Sequence, residues 1–224
     1  SGVQALSMQE RMTMSNMSAE MGAQVGLIAP DETTRQWLLN AGVAAAAEMD
    51  LSGWTTDAGA TVTTHVFDAA TLAPQVAAPH SPANTKPVQA FDQVRVDVAY
   101  IGACTGAKLD DLRSAAQVFK GRKVATGVRL MVAPASQQDQ QQAESEGIMA
   151  TLWEAGAEVL PTGCGACAGY GGSIPDGANV IATTARNFKG RMGSATAQVY
   201  LASPFTVAAS ALRGVISDPR EILA

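Results

Sequence analysis

The sequence has few aromatic residues, few cysteines and no excess of positive charge. Aromatic residues make up 5% of its 224 residues, and 15 lysines and arginines face 20 aspartates and glutamates, a formal net charge of −5. A nucleic-acid surface needs clustered basic side chains, so this balance argues against that partner. The apolar runs are shorter than the ~20 residues that span a bilayer, and no export signal is expected. A 47% hydrophobic content still predicts a folded core.

The chain contains three cysteines: Cys104, Cys164 and Cys167. An odd number without an export signal argues against a disulfide framework. We therefore expect reduced thiols and a cytoplasmic location.

The start of the chain predicts a helix over residues 7–23. Ser7 and Glu10 form an S-x-x-E pattern, in which each side chain accepts a hydrogen bond from a backbone N–H of the first turn. Asn16 and Glu20 are four residues apart, so they project from the same face of this helix.

A second helix is predicted over residues 33–40, and the β-branched run 61–67 favours a strand. Residues 72–87 hold four prolines, which is typical of a connecting strap without secondary structure. We place a domain boundary near residue 92, giving a partial α/β subdomain over 1–92 and an α/β domain over 93–224.

Strands and helices alternate in the second part, which predicts a mostly parallel sheet with helices on its faces. The predicted strands are residues 94–101, 128–133, 158–160, 180–183 and 199–201. The predicted helices are residues 109–120, 137–155 with a break near Gly147, and a last one ending at Arg213.

The three cysteines follow strands of this half, in glycine-rich loops. The carboxyl ends of parallel strands are where open α/β sheets bind ligands. Three thiolates suit an iron–sulfur cluster that leaves one iron without a protein ligand. A C-x-x-C pair is also found in redox sites and as half of a zinc site, and three unrelated buried thiols are equally compatible with the cysteines alone.

Seven segments in order give the chain a close resemblance to the large subunit of 3-isopropylmalate dehydratase and homoaconitase, in the aconitase superfamily. The segments are residues 6–20, 28–34, 100–105, 120–124, 164–167, 186–193 and 200–204. The resemblance implies an aconitase-like three-layer αβα fold. It also implies that Cys104, Cys164 and Cys167 hold a [4Fe–4S] cluster with one open iron.

The same resemblance implies roles for four further residues. Asn16 and Glu20 match the asparagine and glutamate beside the open iron, where the glutamate exchanges a proton with the substrate hydroxyl or water. Arg186 and Arg191 match two arginines that bind the carboxylates of the substrate. The implied reaction is reversible dehydration of a hydroxy di- or tricarboxylate, such as isopropylmalate, homoaconitate or a methylmalate.

The chain also departs from the family. It resembles only the later half of the large subunit, and His65 and His80 do not match the histidines of the missing half. The swivelling domain with the serine base, a separate small subunit in isopropylmalate dehydratases, is absent. Ala103 and Gly106 replace a serine and an asparagine beside the first cysteine, and Ala185 replaces an asparagine before Arg186. Loss of these polar groups alters the surroundings of the metal.

Three hypotheses follow, in order of preference. The first is the cluster-bearing part of a hydro-lyase, acting with a small subunit and with a chain that supplies the missing first portion. The second is a non-catalytic cluster-binding module on the same scaffold. The third is a thiol-redox or zinc protein that uses Cys164 and Cys167.

Overall fold

The computed structural model describes residues 2–170 and 174–223, and the chain divides into two compact units, Ser1–Leu72 and Ala73–Ala224. Its helices are α1 Met8–Met17, α2 Glu32–Asn40, α3 Leu109–Phe119, α4 Gln137–Ser145, α5 Ile148–Glu154, α6 Pro204–Arg213 and α7 Arg220–Leu223. Its strands are β1 Gln75–Ala77, β2 Thr85–Pro87, β3 Val98–Ile101, β4 Arg129–Val132, β5 Glu158–Val159, β6 Asn179–Ala182 and β7 Gln198–Leu201. Short 3-10 helices lie at Gly2–Ala5, Ser18–Met21, Ala44–Glu48, Ala69–Thr71, Val88–Phe91 and Gly165–Ala168. The domain boundary near residue 92 stays a prediction.

Helix α1 starts where the sequence predicts and ends earlier. The Ser7 hydroxyl accepts a hydrogen bond from the N–H of Glu10, whose carboxylate accepts one from the N–H of Ser7, so the predicted capping box is confirmed. The predicted extension to residue 23 is wrong, because the chain tightens into the 3-10 helix Ser18–Met21. Because a 3-10 helix is wound more tightly than an α-helix, the angle between the Asn16 and Glu20 side chains differs from the one predicted for a continuous α-helix.

An ion pair joins the two helices of the first unit. Arg11, only 3% exposed, donates from both Nη atoms to Asp31, at 2.7 and 2.9 Å. Asp31 also caps α2 by accepting from the N–H groups of Thr33 and Thr34. Arg11 therefore fixes the start of α2 against α1, and it lowers the pKa of the Asp31 carboxyl through the hydrogen bond.

The strand predicted over residues 61–67 is wrong. The structure shows no secondary structure there, and all seven residues are exposed. A β-branched run forms a strand only when another strand offers its backbone and a face on which to pack, so the local preference is not sufficient.

The second unit contains a seven-stranded sheet of order β2-β1-β7-β6-β3-β4-β5. Neighbours from β7 to β5 are parallel, while β1 pairs antiparallel with both β2 and β7. The prediction that residues 72–87 form only a strap is therefore wrong, because they contain the hairpin of β1 and β2. Proline is tolerated here because Pro87 lies on the edge strand β2, where a missing N–H need not break a ladder.

The remaining strands and helices of this unit lie close to their predicted positions. The predicted break near Gly147 is confirmed, since this glycine has a positive φ of 73° between α4 and α5. Among the α-helices described in the second unit, α7 is the one that the sequence analysis does not predict.

Each face of the sheet carries its own core. The first cluster packs α3, α5 and α6 against alternate strand residues, including Ile101, Leu130 and Ile181. The second cluster joins the opposite strand residues, including Tyr100 and Met131, to loops and to the 3-10 helix with Cys167. The mostly parallel α/β fold is confirmed, and the cysteine-bearing loops cover the sheet face away from the α3–α6 helices.

A membrane-crossing helix, long and apolar enough to span a bilayer, is not found among the residues that the structure describes.

Candidate metal centre

The candidate site is built at the carboxyl edge of the parallel strands. Strands β3 and β6 are direct neighbours, with Val98 opposite Val180 and Tyr100 opposite Ala182. The chain that leaves β3 forms the Cys104 turn (residues 102–106). The chain after β5 forms the Cys164 turn (residues 164–169). Strands β3, β4 and β5 also run parallel to one another, so the chain segments that leave β3 and β5 lie at the same edge of the sheet.

The Cys104 turn is tied to the end of β6 by one side chain. The buried Thr183 hydroxyl accepts a hydrogen bond from the N–H of Gly102 at 2.9 Å and donates to the carbonyl of the same residue at 3.0 Å. Ala103 has a φ of 73°, in the left-handed region that only glycine adopts readily. A Cβ on Gly106 would lie 2.3 Å from the carbonyl oxygen of Thr183, so this backbone admits only glycine there.

The Cys164 turn is a compact 3-10 helix, Gly165–Ala168. The N–H of Cys167 donates to the carbonyl of Cys164 at 3.0 Å, which closes the turn. Cys164 is exposed, whereas Cys167 is buried in the cluster on the sheet face. One sulfur of the pair thus lies at the surface and the other at the floor of the site.

Tyr100, which the sequence analysis did not single out, lies between these two turns. It is fully buried, and its hydroxyl donates to the carbonyl oxygen of Cys164 at 3.1 Å. Burial is the main cause that raises the pKa of Tyr100 to about 12, so the phenol is neutral and keeps its donor proton at physiological pH. Its place at the end of β3, two residues before a glycine-rich cysteine loop, is the signal that could have identified it.

The three sulfurs are close enough to influence one another. Burial raises the pKa of the Cys167 thiol, the hydrogen bond from Arg191 lowers it, and the charges of Cys164 and Cys104 raise it further. Arg191 Nη2 lies 3.9 Å from the Sγ atom of Cys167. Arg191 therefore contacts Cys167 directly, and Cys104 and Cys164 lie near enough to act on the Cys167 thiol through their charges.

Arg186 and Arg191 share the loop that follows β6. The Arg186 side chain is half-buried, and its carbonyl accepts a hydrogen bond from the Thr184 hydroxyl at 3.1 Å. Between the arginines, the fully buried Asn187 donates from Nδ2 to carbonyl groups of β1, β7 and the chain after β1, at 2.8 to 3.4 Å. This amide anchors the arginine loop to the antiparallel edge of the sheet.

The other predicted residues lie away from this edge or in the other unit. Asn16, which is exposed, and Glu20, which is half-buried, belong to the unit Ser1–Leu72. His65 lies in the exposed segment without secondary structure, and His80 is half-buried in the loop between β1 and β2. The roles assigned to Asn16 and Glu20 by resemblance stay predictions.

Across residues 2–170 and 174–223, no three His, Cys, Asp or Glu side chains are close enough together to hold a metal ion as they stand. The donor chemistry nevertheless fits an iron–sulfur cluster. Three free cysteines contribute thiols, one of them receives an N–H from an arginine, and glycines let the backbone approach closely. Three sulfur ligands match a cluster with one iron left for substrate.

Comparison with known proteins gives the family. A model described as "Aconitase family (aconitate hydratase)" matches residues 1–94 and 85–214. The chain belongs to the aconitase family. This confirms the resemblance drawn from the seven segments, and membership in the family implies an iron–sulfur cluster in general terms.

Three curated relatives, all named as 3-isopropylmalate dehydratase large subunits, show how much of such a protein the chain represents. The protein of Archaeoglobus fulgidus, large subunit 2, is 42% identical over 97% of this chain and 52% of its own length. That of Nitratidesulfovibrio vulgaris strain Hildenborough is 46% identical over 93% and 49%. That of Halothermothrix orenii is 42% identical over 99% and 52%. The chain therefore spans about half the length of the curated relatives it matches.

Proposed function

We propose that this chain is the cluster-bearing part of an aconitase-type hydro-lyase. Its substrate is a hydroxy di- or tricarboxylate of the isopropylmalate, homoaconitate or methylmalate type. The observation that carries the proposal is the contact of Arg191 with Cys167, at the edge of the sheet where the Cys104 turn and the Cys164 turn both enclose Tyr100. The names of the relatives, all isopropylmalate dehydratases, support this reaction class.

The three cysteines would hold a [4Fe–4S] cluster through their thiolates. When bound, such a cluster supplies a Lewis acid, the iron without a protein ligand, toward a hydroxyl and a carboxylate. Arg191 supports this assignment because its N–H points at the Cys167 sulfur, and hydrogen bonds to sulfur ligands stabilise their negative charge.

Arg186 and Arg191 would bind the substrate carboxylates. A guanidinium carries five N–H donors in a planar fork, so Arg191 can donate to the Cys167 sulfur and still bind a carboxylate. Its side chain is exposed at the edge where a substrate would arrive. The Asn187 anchor keeps both arginines on one fixed loop, which favours a defined orientation of the substrate.

Glu20 and Asn16 would complete the proton chemistry. In dehydration, the bond from carbon to the hydroxyl oxygen breaks, a proton leaves the carbon next to a carboxylate, and a carbon–carbon double bond forms. The Glu20 carboxyl would give a proton to the departing hydroxyl, which leaves as water, and Asn16 would hydrogen-bond to it. The base that takes the carbon-bound proton would come from the small subunit.

The half of the large subunit that this chain does not match would pack against the first part of this chain. Seventeen large apolar side chains are exposed among the described residues, and twelve of them lie in residues 2–72, including Leu27, Trp54, Val66 and Phe67. Within those described residues, Ala46 is the only buried apolar one. So large an exposed apolar surface is typical of a protein interface. Its occupant would be the missing half, because the relatives are about twice as long.

Anaerobic reconstitution with iron and sulfide tests the cluster. We expect about four irons per chain for the unmodified protein. Cys104→Ser should abolish retention, while the control Ala168→Ser, which changes a half-buried neighbour of Cys167 and no sulfur, should keep it. Stoichiometric zinc without sulfide, or full iron content in Cys104→Ser, would contradict the ligand assignment.

The cytoplasmic location inferred from reduced thiols stays a prediction.

Activity separates the enzyme from a non-catalytic cluster-binding module on the same scaffold. We expect dehydration of isopropylmalate-type substrates only after addition of the missing half and the small subunit. Arg186→Lys should raise the KM of the assembled enzyme, because a lysine cannot bind a carboxylate through two parallel hydrogen bonds. A loaded and assembled complex without turnover on any of these acids would favour the non-catalytic module.

A further inference from the structure

Two turns must be held at a fixed spacing if their sulfurs are to bind one inorganic centre. The Cys104 turn and the Cys164 turn are separated by about sixty residues of chain, and each contains two glycines. Thr183 fixes the first turn to the sheet, and the internal hydrogen bond from Cys167 to Cys164 closes the second. Neither of these contacts joins one turn to the other.

Tyr100 touches both turns. A Cβ on Gly102 would lie 2.0 Å from Cζ and 2.2 Å from Oη of Tyr100, so the end of the ring fills the space beside this glycine. A Cβ on Gly165 would lie 3.0 Å from the same Oη. The hydroxyl also donates to the Cys164 carbonyl at 3.1 Å. The phenol end is thus enclosed by the backbones of the two turns.

The contact is rigid for three reasons. Tyr100 lies in β3, whose backbone is hydrogen-bonded to β4 on one side and β6 on the other. Its side chain is fully buried. The Cys164 carbonyl accepts from both the tyrosine hydroxyl and the N–H of Cys167, so both of its lone pairs have a partner.

We infer that Tyr100 is a positioning residue, which sets the spacing between the Cys104 turn and the Cys164 turn and so gathers the three sulfurs. The inference rests on the proposed function for the identity of the centre, and on geometry for the spacing itself. The ring keeps the two backbones apart, and the hydroxyl holds the second turn against the end of β3.

Tyr100→Phe tests this, with Tyr200→Phe as the matched control. Each substitution removes one phenolic oxygen from a strand, but Tyr200 packs with the helix-side core and forms an edge contact with Phe91. We expect Tyr100→Phe to release iron from the reconstituted protein to a chelator about fivefold faster, the fold-change that corresponds to one neutral hydrogen bond. The unfolding midpoint of the cluster-free chain should fall slightly in Tyr100→Phe, by the loss of one hydrogen bond, and should stay near the unmodified value in Tyr200→Phe. Equal iron release from both would overturn the inference and leave the cluster assignment intact.

A measurement without iron or sulfide separates the two ideas. Co²⁺ binding to the reduced, cluster-free chain produces a sulfur-to-metal charge-transfer absorption, whose intensity reports the number of thiolate ligands. We expect this absorption in the unmodified chain and about fivefold weaker Co²⁺ binding in Tyr100→Phe. This result without a reconstituted cluster would support the positioning role and contradict the cluster assignment. Unchanged affinity in Tyr100→Phe, or no thiolate-to-Co²⁺ absorption in the unmodified chain, would overturn the positioning role.

A double substitution tests the contact directly. Gly165→Ala places a methyl group against Tyr100 Oη and should weaken Co²⁺ binding. In the Tyr100→Phe background that oxygen is gone, so the same alanine should cost less. The strain of alanine at the positive φ of Gly165, 48°, is common to both backgrounds and cancels. Strictly additive effects would show that Tyr100 does not act through this contact.

Discussion

The hydroxyl of Thr183 should stabilise the Cys104 turn far more than an ordinary surface hydroxyl. It serves both backbone groups of Gly102, at 2.9 and 3.0 Å, in a buried setting. Thr183→Val keeps the shape of the side chain and leaves an N–H and a C=O buried without these partners. Each such group costs about 1–3 kcal/mol, so we expect the free energy of unfolding to fall by about 2–6 kcal/mol.

Two variants bracket this prediction. Thr183→Ser keeps the hydroxyl and loses one methyl group, so it should cost about 1 kcal/mol. Thr184→Val removes a hydroxyl with one recorded backbone acceptor, the carbonyl of Arg186, and should cost about half as much as Thr183→Val.

Urea unfolding followed by circular dichroism gives the free energies. Hydrogen exchange at the Gly102 amide gives the local effect, because its protection depends on the Thr183 oxygen. We expect this amide to exchange faster in Thr183→Val than in Thr183→Ser. If the free energy of unfolding of Thr183→Val lies within about 0.5 kcal/mol of that of the unmodified chain, the prediction is wrong, since this is the usual range of a neutral surface substitution.

Three further predictions concern other contacts. Arg11 lowers the pKa of Asp31, so this ion pair stabilises the fold above the ordinary carboxyl pKa of about 4, and the stabilisation is lost as the pH falls below that value. Arg11→Met should therefore flatten the dependence of the urea unfolding midpoint on pH between 2 and 6. An unchanged slope would contradict this prediction. Gly106→Ala should lower the free energy of unfolding by about 1–3 kcal/mol, because its Cβ would lie 2.3 Å from a backbone oxygen. Gly53→Ala, which has open space around it, should be near neutral in the same thermal melt. Asn187→Asp turns a carboxylate toward three carbonyl groups. The difference between its unfolding midpoint and that of the unmodified chain should shrink as the pH is lowered and the carboxyl gains a proton. A difference that stays constant with pH would mean that the side chain does not face these carbonyl groups.

The departures from the family pattern have different structural outcomes. Gly106 replaces an asparagine, and the close approach to Thr183 explains why this backbone accepts no side chain there. Ala103 replaces a serine and adopts a positive φ. Ala185 replaces an asparagine and is buried, and nothing in the structure explains its substitution.

Several features followed from the sequence because they depend on neighbouring residues. The Ser7 capping box, the break at Gly147 and the positions of the strands each arise from local hydrogen bonding, glycine conformation or apolar pattern. The order of strands and cysteines likewise predicted that the cysteines follow strands. The order of seven segments gave the family, which the comparisons confirmed.

Other features were decided by contacts between residues far apart in the chain. The β-branched run 61–67 is not paired with a strand and is irregular. The proline-rich stretch, in contrast, forms the hairpin of β1 and β2, because β1 pairs with the backbone of β7. The hydrogen bond from Tyr100 to Cys164, and that from Arg191 to Cys167, cross 64 and 24 residues of sequence. Local preference is encoded over a few residues, but such contacts depend on which strands become neighbours, and only the folded sheet determines that.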